Sequence, residues 1–274
     1  MTSGVASEWC LDGGSAGNDN MARSRPPLWR QLASASGAVV LVIVLAPPFA
    51  AWARSYEWVE ALQFCSLVIL VPALAVSGAP WGYLGLAQRA SKLADARRRH
   101  LEAARSFAVL ALELCVIVAW RTPAAVDWLS AHDWSDFVEA AVVLPVGIAF
   151  WLECVESPPL VPRSPRVLRI PLVAIAMWTV WILAYLVGLS HADWYNTYRH
   201  TAGRGISLAA DQQITAGVLW FVSACAFCPV VFWNLVMWLH SEEDPDEELH
   251  RLTARERRQG ELGWTEGSLF RPPR

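Results

Sequence analysis

Apolar runs alternate with polar segments six times along the chain, at roughly 33–53, 58–79, 103–120, 137–152, 170–189 and 214–239. Most of them reach the ~20 residues that a helix needs to cross a hydrocarbon core; the fourth is short and draws on its flanks. In lipid only helices and closed barrels satisfy every backbone polar group. The pattern therefore predicts an all-α, polytopic membrane bundle of six transmembrane helices. Residues 33–239 form that bundle. Residues 1–32, rich in Gly, Ser, Asn and Arg, read as a flexible tail, and 240–274 as a charged tail in which 246–258 has the pattern of a surface helix. Ala51-Trp52-Ala53 after the first run resembles a signal-peptidase site, but the long leader and near-full span length favour a retained anchor.

Charge gives the bundle a direction. Of 22 Lys and Arg residues, only Arg54, Arg121, Arg199 and Arg204 lie in the loops after the first, third and fifth runs. The loop after the second run carries Arg89, Lys92 and Arg97-Arg98-Arg99, the loop after the fourth Arg163, Arg166 and Arg169, and both tails are Arg-rich. Cationic loops stay in the cytoplasm, which predicts a multi-pass protein of the cell membrane with both termini inside. Topology and anionic lipid account for the Arg clusters, so nucleic acid is excluded as a partner and membrane lipid is the expected one.

Composition adds little chemistry. Sixteen Trp residues are unusually many, and Trp52, Trp58, Trp120, Trp151, Trp194 and Trp238 sit near span ends, where indole anchors at the headgroup level. The six Cys make no disulfide framework. Cys225-x-x-Cys228 has the spacing of a soft-metal or redox pair, but no His or Met stands near it in sequence, and buried Cys commonly behaves as a small hydrophobe. His132, His191 and His200 fall in outer loops without a fixed second ligand.

Polar residues inside apolar runs are costly and should face the bundle. With the predicted orientation, Glu60, Gln63, Glu113, Arg121, Glu139, Asp211 and Gln212 converge on one layer near the outer face. Glu60 and Gln63 are shallow enough to be interfacial. Glu113, two turns below the end of its span, either glues helices by hydrogen bonding or has a functional role. Pro47-Pro48, Pro72, Pro145 and Pro229 interrupt four spans, each leaving a carbonyl without its usual donor.

The order of local patterns is similar to that of a known family. Pro47-Pro48-Phe49 precedes the second span, which ends Val71-Pro72-Ala73-Leu74 and Gly78-Ala79-Pro80. The third ends Trp120-Arg121-Thr122-Pro123, and the fourth runs from Glu139 through Gly147 to Phe150-Trp151. A loop with Tyr195 and Tyr198 leads to Asp211-Gln212-Gln213, Gly217 and Trp220. Together, over about residues 33–239, these resemble the CtaG-type cytochrome c oxidase assembly factors. The resemblance implies a six-helix membrane protein that helps to supply copper to the oxidase through His residues. By spacing, those four imidazoles fall on Ala61, Cys65, Arg121 and Ala140. All four are replaced, and Cys65 alone keeps a soft donor.

The resemblance thus implies a non-enzymatic membrane accessory or assembly protein for a respiratory, cytochrome c oxidase type complex, with a degenerate copper site. Copper is the cofactor it implies, with Cys65 the weak metal candidate, and oxidase subunits or other assembly factors are the implied partners. A second reading is a transporter of a small solute, protons or a metal ion, with Glu113, Glu139 and Asp211 handling the cation. No inverted repeat between the two halves supports it. An enzyme is disfavoured, because no nucleophile–base pair, metal-ligand set or phosphate loop stands out.

Overall fold

A computed structural model describes residues 27–99, 103–190, 193–201 and 205–242. Helices make up most of these residues, and among them no β-strand occurs, only a single bridge between Ser157 and Leu160 in the loop after the seventh helix. The helices are α1 (Leu28–Leu45), α2 (Pro47–Ala53), α3 (Glu57–Gly78), α4 (Ala87–Arg99), α5 (Ala103–Trp120), α6 (Pro123–Ala131), α7 (Ser135–Cys154), α8 (Arg166–Leu189) and α9 (Leu208–Glu242), with a 3-10 turn at Asn196–Thr201 before α9. Five of them, α1, α3, α7, α8 and α9, are each long and apolar enough to cross a membrane; α5 and α6 together make a sixth candidate, bent by 66°. The expected tails at 1–26 and 243–274, including the surface helix at 246–258, lie outside the described residues.

Several predicted boundaries move, each for a local reason. The first run does not continue to residue 53. The residue before a proline avoids the helical region, and Ala46, before Pro47-Pro48, is extended at φ −65°, ψ 142°, so one run becomes α1 and α2. At its other end α1 starts at Leu28, directly after Pro27, inside the segment read as a tail. The fourth span reaches 20 residues, Ser135–Cys154, by taking in two flanking residues at each end of its apolar run, as its short length required. The last, at 35 residues, starts earlier than its apolar run and passes beyond residue 240. Trp120-Arg121-Thr122-Pro123 produces the bend between α5 and α6: Thr122 is extended, and Pro123 starts the new helix at its first turn, where its missing N–H costs nothing.

The centre of the bundle is α3, of which 72% is buried against 11% for α1 and 22% for α9. It packs on α1, α7 and α9, while α8 and α9 form the most extensive pair. Pro72 removes a donor from α3, and the preceding turn, Ser66–Leu70, opens into a π-helix. Against this widened turn lies Gly147 of α7. A Cβ there would sit 2.6 Å from the Val68 carbonyl and 2.8 Å from the Pro72 ring, so only glycine allows the backbones to approach this closely.

A buried polar knot closes the Arg-rich end. Glu153, 1% exposed, accepts from Arg97 (2.8 Å), from Arg163 Nη1 (2.7 Å) and from Ser106 Oγ (2.9 Å). Ser164 donates in turn to Ser106 (2.8 Å), and Arg97 also reaches the Leu152 carbonyl (3.0 Å) at the end of α7. Burial lowers the pKa of the Arg97 guanidinium, and Glu153 opposes that shift. Here α4, otherwise a polar helix, is docked through Ala90, Ala94 and Arg97. The sequence reading assigned these arginines to topology alone and missed Glu153, because its three partners come from separate segments.

Candidate functional site

At the opposite end, Arg121 is carried into the bundle by the α5–α6 bend. It is 3% exposed. Its Nη1 donates to Glu60 Oε2 on α3, and its guanidinium lies between two rings, 5.4 Å from the Phe64 centroid and 5.3 Å from that of Tyr195. The Tyr195 hydroxyl donates to the Arg121 carbonyl (3.2 Å), and Tyr198 donates to the Ala53 carbonyl at the end of α2 (3.0 Å). Burial pushes the Tyr195 phenol up to about 12, which keeps it a neutral donor. The 3-10 turn that bears Tyr198 and directly follows Tyr195 is fastened to α6 by Asp127, which accepts from the Thr197 N–H (3.1 Å) and hydroxyl (2.9 Å).

Around this pair lie further carboxylates. Glu57 and Glu139 are 1% and 2% exposed, and Asp136 is held by Arg54 at 3.3 Å. Arg54, Glu60, Gln63, Asp136, Glu139 and Tyr198 help to line a cavity of about 10 Å³, space for a single water at most. One oxygen of Glu139 and two nitrogens of Arg121, Nε and Nη2, have no hydrogen-bond partner among the described residues. Four carboxylates, Glu57, Glu60, Asp136 and Glu139, thus share one layer with two guanidiniums. Glu57 and Asp136 were not among the residues expected in this layer. Glu57 is one turn before Glu60 on the same helix face, a signal that was available.

Three of the expected layer residues turn out to be fasteners. Asp211, in the first turn of α9, accepts from the N–H groups of Glu57 and Trp58, each at 3.0 Å, and so caps the start of α3 from across the bundle. Its neighbour Gln212 donates to the carbonyls of Val187 (2.6 Å) and Ser190 (3.2 Å), capping the end of α8. Gln63 donates to the Val44 carbonyl (2.9 Å), the group whose helical partner would have been the N–H that Pro48 lacks. Glu60 and Gln63 are both buried inside the bundle and so face neighbouring helices.

The family model described as cytochrome c oxidase caa3 assembly factor (Caa3_CtaG) matches residues 16–241. The chain belongs to this family. No curated protein and no solved structure matches it. Membership and the apolar helices together make the chain a membrane protein of the oxidase-assembly class.

The residues at the four positions where the CtaG resemblance implies imidazoles are Ala61, Cys65, Arg121 and Ala140. Arg121 brings a fixed positive charge and Glu60 pairs with it, so the layer holds an internal ion pair at the level where the resemblance implies imidazoles. Cys65 is fully buried, within electrostatic reach of both Arg121 and Glu60. Ala61 and Ala140 contribute no donor. Among the described residues, no group of three His, Cys, Asp or Glu side chains is arranged to hold a metal ion. The donor set does not fit copper, which favours thiolate, thioether or imidazole ligands.

Glu113 stands apart from this layer. Eight residues before Arg121, it lies about 12 Å along the helix from it, and its electrostatic neighbour is Cys154 at the other end of α7. It is 0% exposed, and neither oxygen has a hydrogen-bond partner among the described residues. The two cysteines of the Cys-x-x-Cys spacing also face different surroundings: Cys225 is exposed, while Cys228 contacts Met177 Sδ on α8 at 3.7 Å. His132 donates from Nδ1 to the Trp128 carbonyl (2.9 Å) in an aromatic patch with Trp134. His191 and the His200 side chain lie outside the described residues.

Proposed function

We propose that this CtaG-family protein is a non-enzymatic accessory factor in the assembly of a cytochrome c oxidase, acting through contact with oxidase components or other assembly factors and not by delivering copper. The observation that carries the second half is the Arg121–Glu60 pair, which occupies with an internal ion pair the level at which the family resemblance implies metal ligands. The single-water cavity beside it supports a fixed recognition layer over a route for a small solute. The arginine distribution supports an orientation in which the Glu153 end faces the cytoplasm and the Arg121 layer faces out.

Competition with a Cu(I) chelator tests the reading. Purified protein should carry less than one equivalent of copper, and Cys65→Ser should leave that content unchanged. Stoichiometric copper that disappears in Cys65→Ser would restore a copper carrier. In cells lacking the protein, oxidase activity in membranes should fall and should not be rescued by added copper. Unaltered oxidase together with altered proton or solute uptake would favour the transporter instead.

A further inference from the structure

A second cavity, about 410 Å³, opens at the Arg-rich end between the first turn of α1, the end of α7, the start of α8 and α9 near Pro229. Three arginines line it, Arg30, Arg166 and Arg169, against one carboxylate, Glu156. Both Arg166 and Arg169 share a single oxygen of Glu156, each at 3.4 Å, and Arg169 is oriented by a second bond from its Nε to the Ser164 carbonyl (2.9 Å). No carboxylate among the described residues pairs with Arg30, whose guanidinium lies 4.9 Å from the Trp29 ring centroid. The lining therefore carries two positive charges more than it neutralises.

The rest of the lining is amphipathic. Trp29 and Trp233 are 55% and 65% exposed at the rim, as indoles at headgroup level are. Along the flanking helices, Leu32, Val39 and Val42 of α1 and Phe232 and Val236 of α9 present exposed apolar surface. A ligand held here would place an anionic group among the arginines and apolar chains along these faces. We propose that this cavity binds the phosphodiester headgroup of an anionic phospholipid. Guanidinium groups suit phosphate through charge-assisted, paired N–H donors, and basic pockets between membrane helices are a known form of lipid recognition. Free phosphate shares the headgroup chemistry but gains nothing from the apolar faces.

Thermal unfolding of the full chain in neutral detergent, with native mass spectrometry for retained lipid, tests the site. Phosphatidylglycerol should raise the unfolding midpoint and remain bound, whereas phosphatidylcholine and inorganic phosphate should do neither. Arg30→Gln with Arg166→Gln should weaken phosphatidylglycerol binding at least about tenfold, the loss of one charge-assisted bond or more. Arg89→Gln, on α4 and away from the cavity, should bind as the parent does. Arg30→Gln alone leaves the Glu156 pairs standing and gives the same reading if the double variant does not fold. Equal effects of the two lipids, a preference that survives Arg30→Gln, or equal stabilisation by inorganic phosphate would overturn the proposal.

Discussion

Arg121 carries a full charge into a setting where an unpaired one is prohibitive, and its neighbours are arranged accordingly. Glu60 supplies the opposite charge, and Phe64 and Tyr195 supply ring faces to a weakly hydrated guanidinium. Removing one partner of a buried pair strands the other. Arg121→Gln should therefore destabilise the protein by about 3–5 kcal/mol, and the double variant with Glu60→Gln should recover part of that loss. Thermal unfolding of the three variants in detergent reads the coupling; strictly additive losses would show that the two side chains do not interact. Glu113 presents the converse case. With no partner for either oxygen, it contributes no hydrogen bond that a substitution could lose. Glu113→Leu should be tolerated at least as well as Glu113→Gln, since an amide leaves polar atoms buried and a leucine does not. A marked preference for Gln would return Glu113 to a hydrogen-bonded layer.

At the scale of elements, helix ends and interruptions explain the polar motifs better than chemistry does. Asp211 and Gln212 are consecutive, so they point to different neighbours from the first turn of α9, and one secures the start of α3 while the other secures the end of α8. Asp-Gln is legible in the sequence as a pattern, but its role depends on which helix ends stand beside it. Asp211→Ala frees two N–H groups in a buried position and should cost about 2 kcal/mol or somewhat less, in the range of lost helix caps. Asp211→Asn keeps an acceptor and should cost less. Equal unfolding midpoints for the Ala variant and the parent would remove the cap from the account. Gln63 shows the same logic: four residues separate Val44 from Pro48, so the freed carbonyl was predictable, whereas its donor, on another helix, was not.

For the whole molecule, two polar clusters lie at opposite ends of the bundle, and the arginine distribution carries the proposal that the Glu153 end faces the cytoplasm. Cysteine labelling of intact cells should reach Asp133→Cys from outside and positions 89–99 from the cytoplasm only. Labelling of Asp133→Cys from the cytoplasmic side alone would invert the bundle and place the Arg121 layer against the cytoplasm. The two ends also differ in kind. The Arg121 layer leaves space for at most one water, while the Arg30–Arg166 cavity holds about 410 Å³ and is flanked by exposed apolar helix faces.

The amino-acid sequence by itself determined the helical class, the number of apolar runs, their punctuation by proline, the charge asymmetry and the family. All of these reside in local composition, which a chain displays without folding. Tertiary structure decided which polar residues meet. Glu60 and Arg121 are far apart in the chain and come together where the end of α5, just before the Thr122-Pro123 bend, meets α3. Glu113 leaves the layer because axial rise separates it from Arg121. Structure also decided which helix is central. The mean hydropathies of α1 and α3 are 1.7 and 2.1, yet 11% of one and 72% of the other is buried. Lipid chains are as apolar as a protein core, so a residue facing either looks the same in sequence, and only the packing of one helix on another tells them apart.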